Sequence, residues 1–235
     1  MRHTIVIPAY NEEARIEETV RAYASYVREF MDATQTEILI IVNGSEDRTT
    51  EIAHHLANEI DCVRAWDTPA RMGKGGAVFK GFELAKGEIL SFSDADNATT
   101  PPELRKLLDA VEGGADAAIA SRWLPTSKQL IPQPFTRRIL SRIFNLIVRI
   151  LFFLPYTDTQ CGAKAFTRKS IETVRNQIKT SGWSFDVALI WRLRQAGFNV
   201  VEVPIEWSDN SRSRLRVHSD GPSMLVELIK LRFGG

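Results

Sequence analysis

The chain has 235 residues, of which 44% are hydrophobic and 25% charged, a composition that suits a globular domain with a sizeable core and excludes a disordered protein. Its formal net charge of +1 argues against a protein that binds nucleic acid through bulk positive charge. Cys62 and Cys161 lack metal-ligand spacing, so we expect two free thiols in a reducing compartment. No apolar stretch of about 18 residues predicts a membrane-spanning helix. We therefore expect a soluble protein that meets membranes only at their surface.

The first half of the chain predicts alternating strands and helices. Runs rich in Val and Ile predict the strands, and helical spacing of apolar residues predicts the helices between them. In chain order the predicted elements are a strand at 3–8, a helix at 12–30, a strand at 37–42, a helix at 48–58, a strand at 62–67, a helix at 75–85, a strand at 88–93, a helix at 101–111 and a strand at 116–120. This order predicts an α/β fold with a mostly parallel sheet flanked by helices, which binds ligands beyond the carboxyl ends of its strands.

The second half departs from this alternation. Its predicted elements are a helix at 135–154, a strand at 162–166, a helix at 185–195, a strand at 200–207 and a helix at 224–232. No internal repeat and no low-complexity linker interrupts the chain, so we expect residues 1–235 to form one domain.

Two carboxylates follow the strand predicted at 88–93. Asp94 and Asp96 are two residues apart, and hard oxygen ligands of this kind suit Mg²⁺ or Mn²⁺. A cation held there would neutralise the diphosphate of a nucleotide substrate. The alternative is a solvated turn or a helix cap. The location at a strand's carboxyl end favours the metal site.

Two further segments face the same predicted crevice. After the first strand, Tyr10 can stack on a base and Glu12 can accept from a base or ribose; the alternative is an ordinary turn in which Asn11 caps the next helix. The glycine-rich segment 73–76 lacks the Walker pattern, but its backbone and Lys74 can approach a phosphate. The alternative there is a flexible helix start.

Seven strings, in this order and spacing, resemble family 2 glycosyltransferases of the GT-A fold over nearly the whole chain. They are VIPAYNEE (6–13), GKGGAV (73–78), DADNAT (94–99), SRW (121–123), DTQCGAKAFTR (158–168), WSFDV (183–187) and VPIEW (203–207). Within that family the chain looks most similar to the polyprenyl-phosphate sugar synthases, first the dolichyl-phosphate β-glucosyltransferases and next the dolichyl-phosphate mannose synthases. The resemblance implies a GT-A nucleotide-sugar-binding fold and a metal-dependent, inverting single displacement.

The resemblance also implies roles for individual residues. The nucleotide-sugar site would comprise Pro8, Tyr10, Glu12, Asn43, Lys74, Asp94, Gln160 and Trp183. Asp94 and Asp96 would bind Mg²⁺ or Mn²⁺, and the catalytic residues would be Asp96, Asp186 and Arg122. A phosphate acceptor is already anionic near neutral pH, so we expect Asp186 to orient a sugar hydroxyl or an arginine and not to abstract a proton.

The chain departs from the family pattern at the second strand. The family's usual Asp-Asp-Gly-Ser is here Val42-Asn43-Gly44-Ser45, which leaves an uncharged Asn43 to accept from a base N–H and leaves the base preference open. Ala98 stands where mannose synthases often have Gln, which favours a UDP-sugar.

We expect transfer of a hexose, glucose favoured, from UDP-glucose to a polyprenyl (dolichyl) phosphate. The alternatives are GDP-mannose as donor, another UDP-sugar, a nucleotidyltransferase that releases pyrophosphate, and a catalytically degenerate nucleotide-sugar-binding protein at the membrane.

A basic, amphipathic region indicates where the acceptor binds. Residues 117–157 contain no Asp or Glu, and the helix predicted at 135–154 carries Arg138, Arg142, Asn145 and Arg149 on one narrow face. The opposite face consists of Leu140, Ile143, Phe144, Ile147, Ile150, Leu151 and Leu154. This pattern is typical of a helix at a membrane interface; the alternative is a surface helix packed on the core. We expect the acceptor phosphate near Arg122, Arg138 and Arg214, and a peripheral location on the cytosolic membrane face.

Overall fold

The computed structural model describes residues 1–132, 134–178, 182, 184–209 and 226–233. The strands are β1 (His3–Ala9), β2 (Thr36–Asn43), β3 (Val63–Thr68), β4 (Ile89–Ser93), β5 (Ala117–Ser121), β6 (Lys128–Ile131), β7 (Ala163–Thr167), β8 (Val200–Pro204) and β9 (Glu206–Ser208). The helices are α1 (Ile16–Phe30), α2 (Thr49–Glu59), α3 (Gly73–Leu84), α4 (Pro101–Glu112), α5 (Phe135–Phe152), α6 (Arg168–Val174) and α7 (Phe185–Gln195). Residues 226–233 are also helical.

The central sheet has the strand order β3-β2-β1-β4-β7-β5-β8. Its strands are parallel except β7, which runs antiparallel between β4 and β5. The predicted mostly parallel sheet is therefore confirmed. Because β7 runs in the opposite direction, its first residues lie at the edge of the sheet where its neighbours end.

Helices cover both faces of this sheet, as predicted. Along β1, Ile5 and Ile7 face a core formed with α1, α2 and α4. Val6 points to the other face, where α3, α5 and α7 pack. Both faces of the central strands are buried, which explains why these strands appear in the sequence as continuous apolar runs instead of alternating ones.

The strand predicted at 200–207 is wrong as one element. β8 ends at Pro204, which has no N–H to continue a ladder, and the chain then passes to a separate sheet in which β9 pairs with β6. Three elements were not predicted: β6, α6 and a short 3-10 helix at Arg175–Gln177 that follows α6. The beginning of α6 has a local signal, because the Thr167 hydroxyl accepts a hydrogen bond from the Ser170 N–H.

Helix α5 packs differently from the predicted division of its faces. Asn145, expected on the polar face, is buried and its Oδ1 accepts a hydrogen bond from the Thr159 N–H at 3.2 Å. Phe144 and Leu151, expected on the free apolar face, pack against the core. The exposed apolar residues along this helix and just after it are Phe135, Ile139, Ile143, Leu146, Ile150 and Phe153. Among the described residues no helix is both long and apolar enough to cross a membrane.

Candidate active site

The acidic pair lies in a loop directly after β4. Asp94 Oδ1 accepts an ion-paired hydrogen bond from Lys74 Nζ at 2.6 Å, and the Asp94 N–H donates to the Gly162 carbonyl at 3.0 Å. The Ala98 N–H donates to Asp96 Oδ1 at 3.1 Å. Burial, and after it the negative charge of Asp94, raises the pKa of the Asp96 carboxyl. The loop therefore holds two carboxylates close enough to repel each other, an arrangement that a cation would stabilise.

Helix α1 supports this loop from behind. Thr19 Oγ1 donates to the Ala95 carbonyl at 2.8 Å. The Tyr23 hydroxyl lies 2.8 Å from both Ser93 Oγ and the Thr99 carbonyl. Both side chains are buried, so the acidic loop is held in one conformation before any ligand binds.

The donor set fits Mg²⁺ or Mn²⁺. Within the described residues no group of three or more His, Cys, Asp or Glu side chains forms a closed metal cage. Asp94 and Asp96 offer two carboxylates, and Mg²⁺ is typically held by one or two carboxylates together with substrate phosphates and water. The pair is thus suited to a cation that arrives with a diphosphate.

The glycine-rich segment begins α3 and is fastened to β2 by Asn43. Asn43 Oδ1 accepts from the Met72 N–H at 2.5 Å, and its Nδ2 donates to the Gly73 carbonyl at 3.3 Å. Gly73 has φ +76°, a conformation that favours glycine. Both the oxygen and the nitrogen of the Asn43 amide therefore form hydrogen bonds to this loop, whereas the sequence predicts that the oxygen accepts from a nucleobase. An aspartate at this position lacks the donor for the Gly73 carbonyl.

The segment after β1 contacts the β2–α2 loop. Arg71, in the loop before α3, places its guanidinium 4.3 Å from the centroid of the Tyr10 ring, so a cation lies over one face of the ring that is expected to stack on a base. Glu12 Oε2 accepts from Arg15 Nε at 2.7 Å. The alternative that Asn11 caps the helix is wrong, because Asn11 Oδ1 accepts from the Glu46 N–H and α1 begins only at Ile16.

Arg122 lies directly after β5 and is held by an acidic partner that the sequence did not reveal. Its Nε donates to Asp158 Oδ2 at 2.7 Å and its Nη2 to Asp158 Oδ1 at 2.9 Å, a bidentate pair. The two side chains are only 9% and 0% exposed. The Arg122 guanidinium is therefore already ion-paired with Asp158 and is not a free cation.

Exposed arginines of α5 gather instead around Trp123. The guanidinium carbons of Arg138 and Arg142 lie 5.6 Å and 5.1 Å from its ring centroid. The buried Trp123 Nε1 has no hydrogen-bond partner within the described residues. This cluster presents two guanidinium groups, the chemistry that binds a phosphate.

The other predicted residues are placed as follows. Pro8 lies near the end of β1, and Gln160 is half-buried between Asp158 and Cys161. Trp183 and Arg214 lie outside the described residues. Asp186 is buried in the first turn of α7, and its Oδ1 accepts from Lys164 Nζ at 2.6 Å.

Comparison with known proteins identifies the family. The sequence profile described as "Glycosyl transferase family 2" matches residues 4–175. The chain belongs to glycosyltransferase family 2.

Several named glycosyltransferases are similar to this chain. It is 36% identical to the glycosyltransferase AglD of Haloferax volcanii over 97% of its own length, but spans only 36% of that protein. It is 34% identical to the polyprenol monophosphomannose synthase of Mycolicibacterium smegmatis, covering 88% of this chain and 78% of the relative. It is 30% identical to the dolichyl-phosphate beta-glucosyltransferase of Saccharomyces cerevisiae, covering 97% and 73%.

The solved structures confirm the GT-A fold. Glucosyl-3-phosphoglycerate synthase from Mycobacterium tuberculosis, crystallised with Mn²⁺, UDP and glucosyl-3-phosphoglycerate, aligns with a TM-score of 0.71 over 99% of this chain and 80% of its own. The sequence identity is 18%. The same synthase has also been solved with Mg²⁺ and UDP.

Two features of this glycosyltransferase site were not predicted from the sequence. Lys164 is a charged residue in the middle of the buried strand β7, and its isolation among apolar neighbours is the signal that would have revealed it. Asp158 lies in a segment without regular structure and gives no comparable signal.

Burial raises the pKa of the Cys161 thiol to about 11, so this cysteine is a protonated thiol at neutral pH and a poor nucleophile.

Proposed function

We propose that this domain transfers a hexose, glucose favoured, from a nucleotide diphosphate sugar to a polyprenyl phosphate at a membrane surface. The observation that carries this proposal is the arrangement of two unlike sites. The acidic pair Asp94 and Asp96 suits a metal-bound diphosphate, and the arginine cluster on Trp123 suits a second, separate phosphate. Relatives named as dolichyl-phosphate beta-glucosyltransferases and as a polyprenol monophosphomannose synthase support it.

The donor side of the reaction rests on Asp94, Asp96 and Lys74. Mg²⁺ or Mn²⁺ held by the two carboxylates would offset the charge that develops on the departing nucleoside diphosphate. Lys74 stands in the first turn of α3, where its ammonium and the adjacent helix N-terminus favour a phosphate. These residues bind the donor and orient its anomeric carbon toward the acceptor.

The acceptor side needs cations more than a base. A phosphate monoester has a second pKa of about 6, so a polyprenyl phosphate already carries a nucleophilic oxygen anion at neutral pH. Arg138 and Arg142, with Arg122 and Arg214 as the other expected contacts, hold it. The phosphate oxygen forms the new bond to the anomeric carbon as the bond to the diphosphate breaks, with inversion. Asp186, paired with Lys164, positions groups and takes no proton.

UDP-glucose is the favoured donor, and GDP-mannose is the second candidate. Ala98 and the several relatives named as glucosyltransferases favour UDP-glucose. The 34% identity to a mannose synthase makes GDP-mannose the second candidate. The test is a product assay with purified protein, Mn²⁺ or Mg²⁺, a short polyprenyl phosphate and each donor in parallel. UDP release together with a glucolipid is the expected result. GDP release would identify GDP-mannose as the donor instead of UDP-glucose. If neither donor yields a product, the proposal is contradicted.

We further propose that α5 lies on the cytosolic face of a membrane, where nucleotide sugars are available. Leu130 and Ile131 of β6, a few residues before α5, are also exposed apolar side chains. Arg138, Arg142 and Arg149 border this face, and anionic lipid attracts each such arginine by about 1 kcal/mol. A surface with an apolar centre and a cationic border matches the interface of an anionic bilayer.

The double variant Ile143→Glu/Ile150→Glu is expected to bind anionic phospholipid vesicles at least about tenfold more weakly, since it replaces two exposed apolar side chains by charges of the lipid's own sign. Flotation of protein with the vesicles measures this. The matched control is Phe30→Glu, an equally exposed apolar residue on α1, which should leave flotation unchanged. Equal flotation of the double variant and the wild type would show that α5 does not dock.

A further inference from the structure

The strand between β4 and β5 contains a lysine with no access to solvent. Lys164 is fully buried, and its cross-strand neighbour on β4 is Phe92. Its Nζ donates to Asp186 Oδ1 at 2.6 Å and to the Cys161 carbonyl at 2.7 Å. The ammonium also lies 5.3 Å from the centroid of the Phe92 ring. Every face of this charge is therefore occupied by groups of the protein.

Such a pair is a poor device for stability. Removing two charges from water costs about as much as their attraction returns, and apolar residues of similar size often serve a core equally well. The surroundings of Lys164 are apolar, with Phe92, Phe166 and Phe185 all fully buried in the same cluster. The pair thus calls for an explanation other than stability.

Two routes lead from Lys164 to the donor site. The first runs through side chains, because Lys164 and Lys74 both lie against the ring of Phe92. Lys74 in turn donates to Asp94. The ammonium of Lys74 lies 5.8 Å from the centroid of the same Phe92 ring that Lys164 approaches. Both lysines are therefore placed against one aromatic side chain, each with its own carboxylate.

The second route runs through the backbone. Lys164 holds the Cys161 carbonyl, and the next residue, Gly162, accepts the Asp94 N–H. Gly162 also packs so tightly on Asp94 that a Cβ built on it would lie 1.9 Å from Asp94 Oδ2. Both routes end at Asp94.

We propose that Lys164, held by Asp186, is a positioning residue of the donor site, which fixes the Cys161–Gly162 backbone and the Phe92 ring and, through them, the places of Asp94 and Lys74. This rests on the proposed function only in that Asp94 and Lys74 bind a metal-bound nucleoside diphosphate. Lys164 itself touches neither sugar nor phosphate. Its effect is on how well the diphosphate site is formed before the donor arrives.

The informative variant is the double substitution Lys164→Met/Asp186→Asn. Lys164→Met alone leaves the Asp186 carboxylate buried without a partner, so its loss of stability would obscure the result. The double variant removes both charges and keeps side chains of similar size. We expect a melting temperature near that of the wild type, an affinity for UDP with Mn²⁺ about 10- to 100-fold weaker by calorimetry, and an unchanged KM for the polyprenyl phosphate.

A control near the amino end of β2, away from the donor site, distinguishes a loss of positioning from a general loss of stability. Glu37 is also buried and accepts hydrogen bonds from Thr4, Arg64 and the Lys86 N–H. Glu37→Gln should lower the melting temperature and leave the affinity for UDP with Mn²⁺ unchanged. A folded Lys164→Met/Asp186→Asn protein that binds UDP and GDP as tightly as the wild type would overturn the Lys164 proposal alone. A wild-type protein that binds neither nucleotide with Mn²⁺ would overturn the proposed function as well.

Discussion

Replacement of Asp96 by asparagine is expected to reduce sugar transfer by about a thousandfold or more. Asparagine keeps the oxygen that accepts the Ala98 N–H, so the loop conformation should survive. The variant lacks the second negative charge that the metal-bound diphosphate requires, and loss of one preorganised electrostatic contact at developing charge costs about 10²- to 10³-fold even without a metal. Initial rates at saturating donor, with and without added Mn²⁺, measure the effect.

The stability of the Asp96→Asn variant provides an internal check. Burial and the charge of Asp94 raise the pKa of Asp96, so its ionised form costs folding free energy above that pKa. A neutral amide removes this cost, and the melting temperature at neutral pH should be equal to or higher than that of the wild type. Asp109→Asn, at an exposed position on α4, serves as the control and should keep full activity. An Asp96→Asn enzyme within tenfold of the wild type would refute the metal assignment.

Replacement of Gly162 by alanine is expected to reduce transfer by about a hundredfold. The added Cβ would lie 1.9 Å from Asp94 Oδ2 and 2.4 Å from its Cγ, so the carboxylate must move by an ångström or more. A displacement of that size at a reacting centre costs about 10²-fold in rate. The movement also lengthens the contact between Lys74 and Asp94, so the KM for the donor should rise as well.

Gly87→Ala is the matched control for this variant. A Cβ at Gly87 would lie 2.6 Å from backbone atoms of His3 and Thr4, a clash with main chain at the amino ends of the parallel strands, away from the candidate active site. It should lower the melting temperature while the folded fraction keeps the wild-type KM for the donor. If Gly162→Ala and Gly87→Ala show the same kinetic constants, the close approach of Gly162 to Asp94 has no part in donor binding.

The strands β1, β2 and β5 could be predicted because they are buried over nearly their whole length and produce largely apolar runs. β6 could not, because Lys128–Ile131 is a short, largely exposed strand whose partner β9 lies far along the chain. Pro204 marks the end of β8 in the sequence, but no local pattern indicates which strand β9 then pairs with.

The same distinction applies to the site. Asp94, Asp96 and Lys74 could be predicted as site residues because each lies in a short segment whose spacing has chemical meaning. The contacts that organise them join residues far apart in sequence. Asp186 pairs with Lys164 across 22 positions, Met72 with Asn43 across 29 and Arg122 with Asp158 across 36. A single sequence shows that such side chains exist, but their partners are determined only by the folded topology.

The position of β7 has a consequence for the order in which the chain can fold during synthesis. β4 and β5 do not touch each other in the sheet, because residues 163–167 lie between them. Until that segment has been synthesised, β1–β4 can pair with one another but β5 has no partner in the central sheet, because its other neighbour β8 is made later still. Helix α5 has by then been made, and its Phe152 still lacks its partner Trp191. The partly synthesised chain therefore exposes unpaired strand edges and apolar side chains until β7 can join the sheet. Chaperones, or the membrane itself, have their greatest opportunity to hold the nascent chain at that moment.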